Sequence, residues 1–379
     1  MSFQLTAEQE MIRLMARDFA RKELEPFAAK RDKEELFPLD VVKKMGGLGL
    51  LGMMVPPEYG GSGAGAISYC LALQEIAYAC ASTAVTMSVA NLSIEPLLKF
   101  GDEDQKKRYL APLASGKMLG CFAVTEPNAG SDPGSLQLKA EEKGDYYLVN
   151  GTKVFITHGG YADVINLVAR TDPEKGNKGL SAFLVEKSFP GFSVGAREDK
   201  MGLRASNTVE LIFEDCQVPK TNLLGREGLG FKIAMTALDS GRIGIASQAL
   251  GIARSCMDEA IRYAKERKQF NRSISSFQAI QWMIADMATE IEAAYLLTLS
   301  AADKKDQGLS FTKEASMAKL FATEMANRVA YHALQIHGGY GYVKEFKIER
   351  LYRDARATTI YEGTSEIQRL VIAREILKT

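Results

Sequence analysis

The amino-acid sequence predicts an α+β chain in three parts: an N-terminal helical domain (residues 1–120), a central small β-barrel domain (121–225) and a C-terminal four-helix-bundle domain (226–379). Three observations predict it. Apolar residues recur at helical spacing through the first part, interrupted by Gly and Pro. Between 121 and 225 the apolar period drops to two, and short Val/Ile/Leu/Phe runs alternate with Gly, Pro, Asn and charged turns. Past 226 the helical period returns in long stretches rich in Ala, Leu, Met and Glu. A chain of 379 residues has the length for two or three domains.

The first helix opens on Thr6-Ala7-Glu8-Gln9, a capping box, followed by Ile12, Met15 and Phe19 at helical spacing. Pro26 ends or kinks it. Gly46 to Gly63, with Pro56-Pro57 inside, reads as a loop. Within it Gly47-Leu48-Gly49-Leu50-Leu51-Gly52 spells GxGxxG. The nucleotide reading needs a strand before the glycines, and Val41-Val42-Lys43-Lys44-Met45 is instead the end of an amphipathic helix. The motif is a turn. Asn91 to Phe100 and Gln105 to Leu110 read as helices.

In the central part Tyr146–Val149 and Lys153–Thr157 flank Asn150-Gly151, which predicts a hairpin with a type I′ turn. Val164–Ala169, Ala182–Val185 and Val209–Phe213 are further strands of a closed or sandwich-like barrel. The last part carries long helices over Ile243–Glu266, Phe277–Asp306 and Thr312–Gln335. Their Met283, Met287, Met317 and Met325 read as core filling.

With 47 basic and 47 acidic residues the net charge is zero, which argues against nucleic acid and a membrane surface as partners. Five cysteines (70, 80, 121, 216 and 256) lack CxxC spacing, and His158, His332 and His337 form no ligand pattern, so neither disulfides nor a metal is expected. No run of 18 apolar residues suggests a membrane span. The acidic start argues against a transit peptide. The expectation is a cytoplasmic protein of bacterial type, or a mitochondrial-matrix one if the chain is a processed eukaryotic product.

The stretch from Arg353 to Arg369 carries the most chemistry. Glu362 lies between Tyr361 and Gly363, just before an N-cap at Thr364 or Ser365 and the helical pattern Ile367, Leu370, Val371, Leu377. A carboxylate on a turn beside apolar side chains is partly desolvated, so its pKa rises. That suits a general base for a weakly acidic proton near neutral pH. An acidic residue in an ordinary helix-start turn is the alternative from spacing alone.

Tyr361-Glu362-Gly363-Thr364 with Ile367-Gln368-Arg369 resembles the C-terminal signature of the acyl-CoA dehydrogenases. Val124-Thr125-Glu126-Pro127-Asn128-Ala129-Gly130-Ser131-Asp132 resembles the family's flavin-contacting loop. Phe155-Ile156-Thr157, Glu266-Arg267-Lys268-Gln269-Phe270 and Gln335-Ile336-His337-Gly338-Gly339-Tyr340-Gly341 match in the same order. Leu238-Asp239-Ser240-Gly241-Arg242-Ile243-Gly244 is most similar to the short-chain, butyryl-type branch.

The resemblance implies FAD-dependent α,β-dehydrogenation of a short or compact acyl-CoA, with Glu362 as the α-proton base and FAD as hydride acceptor. Electrons would pass to electron-transferring flavoprotein. A hydride acceptor is demanded by the chemistry as well, since no side chain serves. Isovaleryl- and long-chain-type relatives carry the base at the position matching Gly241, which here has no side chain. FAD contacts implied are Phe122, Val124, Thr125, Ser131, Phe155 and Thr157, with Thr364 and Glu366 from the last helix. Arg267, Phe270, Gln278, Gln335 and Gly339 would reach FAD of a neighbouring subunit, implying a homotetramer. Phe155 replaces a common tryptophan, and His158 a common asparagine; His158 either tunes the flavin or is a solvated loop residue. Substrate contacts implied are Ser131, Leu238, Asp239, Arg242, Gly363 and Arg374, with Arg242 and Arg374 as phosphate partners. Glu95, near the far end of the acyl pocket, is expected to point to solvent; the alternative is a polar pocket for a functionalised or cyclic acyl group. A glutaryl-type substrate would need a cation there. An oxidase, a nucleic-acid-binding repair relative and a nitroalkane-oxidising relative fit less well.

Overall fold

Residues 4–378 are described by the computed structural model. Its first helix starts where the sequence places it. The Thr6 hydroxyl accepts from the Gln9 N–H at 3.2 Å and the Gln9 side chain accepts from the Thr6 N–H at 3.0 Å, opening α1 (Ala7–Phe19). A π turn (Ala20–Leu24) and a 3₁₀ turn (Glu25–Phe27) follow, the latter holding Pro26, which has no N–H to donate. Then come α2 (Ala28–Glu34), α3 (Leu39–Gly47), α4 (Gly65–Ala79), α5 (Ala81–Phe100) and α6 (Glu103–Ala114). The GxGxxG stretch is the end of α3 and a set of turns.

Helices α4 and α5 are mostly apolar and almost wholly buried, with Glu75 and Glu95 the buried carboxylates among them. The N-terminus of α4 is capped from far away in the chain: Asp306 accepts from Ala66 N–H at 2.6 Å and Ile67 N–H at 3.1 Å.

The central part is an eight-stranded sheet. Its strands are β1 (Gly120–Ala123), β2 (Lys139–Lys143), β3 (Tyr146–Thr157), β4 (Val164–Arg170), β5 (Leu180–Glu186), β6 (Phe192–Arg197), β7 (Thr208–Pro219) and β8 (Leu223–Leu224). The order is β6-β7-β3-β2-β4-β5-β8, with β1 parallel to β4. β2 touches β4 through one pair, Lys139 and Arg170, so the ladder nearly splits there. The two halves fold onto each other around one core, and the rings of Tyr147 on β3 and Phe183 on β5 meet at 4.9 Å. Hydrogen bonding does not close the ring, since β6 and β8 end the path; the sandwich-like form of the expected barrel is the one found.

Asn150-Gly151 is not a hairpin turn. It lies inside β3, where Gly151 (φ 139°) marks a register shift against β7. The hairpin is β2–β3, turning at Gly144-Asp145 between the paired Lys143 and Tyr146. An interior glycine in a strand makes a bulge as readily as a turn, and pairing to β7 decides between them.

Beyond the sheet run α7 (Gly230–Glu266), a two-residue ribbon of β9 (Lys268–Gln269) and β10 (Arg272–Ser273), α8 (Gln278–Asp306), α9 (Thr312–His337), α10 (Lys347–Ala357) and α11 (Ser365–Leu377). Helix α7 packs against α4 and α5 on one side and α8 and α9 on the other. The N- and C-terminal helices therefore share one hydrophobic core. Among the described residues no helix is long and apolar enough to cross a membrane.

Candidate active site

Helix α10 ends at Ala357 and α11 begins at Ser365, leaving a seven-residue turn that carries Glu362. Glu362 (φ 53°) and Gly363 (φ 88°) are both left-handed. Such a conformation is unfavourable for a residue with a Cβ, and Gly363 removes that cost at the second position. Thr364 is the N-cap, its hydroxyl accepting from Ile367 N–H at 3.4 Å. Gln368, one turn into α11, donates to the carbonyls of Glu362 (3.2 Å) and Gly363 (2.9 Å). Lys319 on α9 donates to the Gly363 carbonyl at 2.8 Å. Tyr361 donates to Gln248 on α7 at 2.6 Å. The turn is thus pinned from α7, α9 and α11.

The Glu362 carboxylate points at α7, where a Cβ on Gly241 would overlap its Oε2 and would stand 3.1 Å from Leu92 Cδ1 of α5. Glu362 is partly exposed as a residue, but Oε2 is shut off from solvent and has no hydrogen-bond partner. Burial pushes the carboxyl up to about 7, against the pull of Lys319 and Arg242. One turn along α7, a Cβ on Gly244 would stand 2.6 Å from the Tyr69 hydroxyl and 2.9 Å from Ser88 Oγ. The small residues 241 and 244 let α4, α5 and the Glu362 turn crowd one face of α7.

Arg242 is not at the surface. It is 3% exposed, donates to Asp239 at 2.6 Å and to Ser316 at 3.2 Å, and its charge acts on Glu362. The sequence reading of Arg242 as a phosphate partner gives way to a buried cation beside Glu362. Thr312 donates to the other Asp239 oxygen at 2.6 Å, so Asp239 is held from two helices. Leu238 is half-buried on the same helix; Ser131 and Arg374 are exposed.

Glu95 does not point to solvent. It is 3% exposed, and Lys305 of α8 donates to its Oε2 at 3.1 Å. Lys99 stands 2.9 Å from Oε1, an ion-pair approach without a well-aligned hydrogen bond. Lys305 also donates to Ser240, the neighbour of Gly241. Burial works against ionisation, but Lys305 and Lys99 outweigh it and hold the Glu95 carboxyl below the usual range.

The two flavin segments read from sequence are joined. Val154 N–H donates to the Thr125 carbonyl at 2.9 Å, and Lys153 donates to the Val124 carbonyl at 2.7 Å and to Glu126 at 2.8 Å. Glu126 in turn accepts from Gln137 and Leu138 N–H groups. Burial pushes the Lys153 ammonium down to about 8 despite Glu126. Phe122 and Val124 pack against the same buried cluster as Phe231 and Met235 of α7. Phe155 is left-handed (φ 57°) at a register shift and 63% exposed, with half-buried Thr157 two residues on. An exposed aromatic ring and a loop rigidly tied beside it fit one face of a flat isoalloxazine. His158 is fully buried, and burial pushes it down to about 4, so it is neutral, not a solvated loop residue.

A second set lies at the ends of α7, α8 and α9. The Arg267 guanidinium sits 5.5 Å from the Tyr340 ring, next to Gly339, and Phe270 (87% exposed) meets the ring of Phe277, next to Gln278. Gln335 is exposed, and nothing lies within 4 Å of where a Gly339 Cβ would stand. Thr364 and Glu366 start α11, where N–H groups suit a phosphate.

The sequence reading missed Lys319 and Lys305, and it gave Lys153 and Gln368 no role beyond a strand and a signature. Lys319 had a signal: it falls on the apolar stripe Ala315, Ala318, Ala322, Ala326 of α9, where a lysine is out of place.

Residues 6–117 match the acyl-CoA dehydrogenase N-terminal domain, 121–216 the middle domain and 228–377 the C-terminal domain. The chain is 50% identical to the short-chain-specific acyl-CoA dehydrogenase of Clostridium acetobutylicum, covering 100% of both. Butyryl-CoA dehydrogenase of Megasphaera elsdenii superposes with a TM-score of 0.98 at 44% identity, over 100% of both chains. A chain solved in work on the electron transferring flavoprotein of Acidaminococcus fermentans and flavin-based electron bifurcation superposes at 0.99 with 49% identity, again over 100% of both. With all three domains matched in order, this chain belongs to the acyl-CoA dehydrogenase family.

Proposed function

We propose that the protein dehydrogenates a short acyl-CoA to its 2-enoyl-CoA, with Glu362 taking the α-proton. The observation that carries this is the Glu362 carboxyl: buried against Gly241, without a partner on Oε2 and raised to about 7. A base with a pKa near the working pH combines ionisation with proton affinity. FAD, when bound, supplies the hydride acceptor. Phe122, Val124, Thr125, Ser131, Phe155 and Thr157 would hold it, together with Thr364 and Glu366. Arg267, Phe270, Gln278, Gln335 and Gly339 would hold the FAD of a neighbouring copy in a tetramer. The Glu362 backbone N–H would donate to the thioester carbonyl, stabilising charge that develops as the α-proton leaves. Leu238, Asp239, Gly363 and Arg374 would line the CoA path. Electron-transferring flavoprotein is the acceptor this reading names. Five free, buried cysteines support a reducing, cytoplasmic setting.

Glu95 supports the short acyl group. Lys99, Glu95, Lys305 and Ser240 form a charged wall one turn past Leu92, beside the base. A longer aliphatic tail would have to separate ions that are already out of water, which is unfavourable. A dicarboxylic acyl group finds Lys305 already matched by Glu95.

An anaerobic titration with butyryl-, cyclohexanecarbonyl- and glutaryl-CoA tests this. Bleaching of the flavin by butyryl-CoA is expected. A colourless protein, or a flavin that no thioester reduces, overturns the reading.

A further inference from the structure

Lys319 is a lysine with no solvent exposure on the apolar face of α9. A buried ammonium is costly unless it is paired, and its one hydrogen bond among the described residues is to a carbonyl, that of Gly363. That carbonyl follows two consecutive left-handed residues, the first of which is the base. We propose that Lys319 is a positioning residue for the reaction: it anchors the Glu362–Gly363 turn and supplies the cation that keeps Glu362 ionisable. This rests on the reading of Glu362 as the base.

Two observations converge. The first is mechanical. The Gly363 carbonyl receives donors from two helices, Lys319 of α9 and Gln368 of α11, so the peptide after Gly363 has a fixed plane. α11 is also tied to α9 by Ser365 donating to Glu324 at 2.6 Å. A turn that stores backbone strain must be held by its surroundings, and Lys319 does so from inside the core.

The second is electrostatic. The charged groups acting on Glu362 are Lys319 from α9 and Arg242 from α7. Arg242 is committed to Asp239, whose charge offsets its own. Among the described residues Lys319 has no carboxylate within ion-pair distance; burial pushes its ammonium down to about 8, Glu362, Glu324 and Glu366 pull it up from further off, and Arg242 opposes them. The Tyr361 and Tyr69 hydroxyls face the same region and stay neutral, burial having raised both well above their ordinary value. Lys319 is therefore the cation whose charge is left for the base. Without it, burial would raise Glu362 further, and less of the enzyme would carry an ionised base at neutral pH.

The test is the pH profile of anaerobic flavin bleaching by butyryl-CoA in holoenzyme, for Lys319→Gln and Lys319→Arg. The glutamine keeps an N–H donor for the Gly363 carbonyl and removes the charge; the arginine keeps the charge. The expected result is a midpoint raised by about one pH unit or more in K319Q and left within about half a unit in K319R, with FAD absorbance retained. An unmoved midpoint in K319Q overturns the proposal. Should K319Q not hold FAD, a K319R midpoint displaced by more than a unit overturns it equally. Glu362→Gln in the same assay separates the two readings: if that variant still bleaches at the wild-type rate, it is the assignment of the base that has failed.

Discussion

The Glu362 carboxylate occupies the space that a side chain at Gly241 would fill. The two residues lie on different elements, the turn before α11 and the middle of α7, and they exclude each other. A base delivered from the turn requires an empty position on α7.

Gly241→Ala therefore displaces the base. Misplacing a reacting group by about 1 Å costs on the order of 100-fold, and a comparable fall in kcat with butyryl-CoA is expected. The FAD spectrum should be intact, because none of the proposed flavin contacts adjoins residue 241. Wild-type kcat in G241A would show that Glu362 does not need that space.

The Glu362 carboxyl sits at about 7 because it is buried, so kcat/KM for the reductive half-reaction should rise with pH and level off above about 7. The sign follows from the base having to be ionised in the free enzyme. The same shift bears on stability. Between its ordinary value and about 7 the folded state binds more protons at this group than the unfolded state, so its contribution to stability falls as pH rises through that window. A profile flat from pH 5 to 9 would contradict both statements.

Glu95→Ala opens the wall beyond Leu92. Each added methylene in an apolar pocket changes selectivity by about 10- to 200-fold. The ratio of kcat/KM for octanoyl- over butyryl-CoA should rise by at least about tenfold. The midpoint of thermal unfolding should fall, since Lys305 loses its carboxylate. Glu95→Gln, which keeps an acceptor, should show the smaller thermal effect. Unchanged chain-length preference would remove Glu95 from the acyl pocket.

The turn that carries Glu362 was readable because its determinants are local: an N-cap, a glycine and a carboxylate within four residues. The helix–sheet–helix order was readable from the change of apolar period. What escaped was set by distant parts of the chain. Asn150-Gly151 has turn chemistry, but pairing to β7, more than fifty residues on, makes it a bulge. Glu95 looks solvated by composition, yet α8 brings Lys305 against it. Arg242 looks like a phosphate partner until Asp239 and Ser316 are seen to enclose it. Buried charge is a property of pairs, and no single segment encodes a pair.

The most direct test of the account is single-turnover reduction of the flavin by butyryl-CoA in Glu362→Gln. Glutamine keeps the size and the backbone of the turn and removes the base. FAD and substrate should still bind, seen as the flavin absorbance and its perturbation, while bleaching slows by at least about 1000-fold, within the range of a lost general base. Bleaching within tenfold of wild type would mean that the proton leaves to another group.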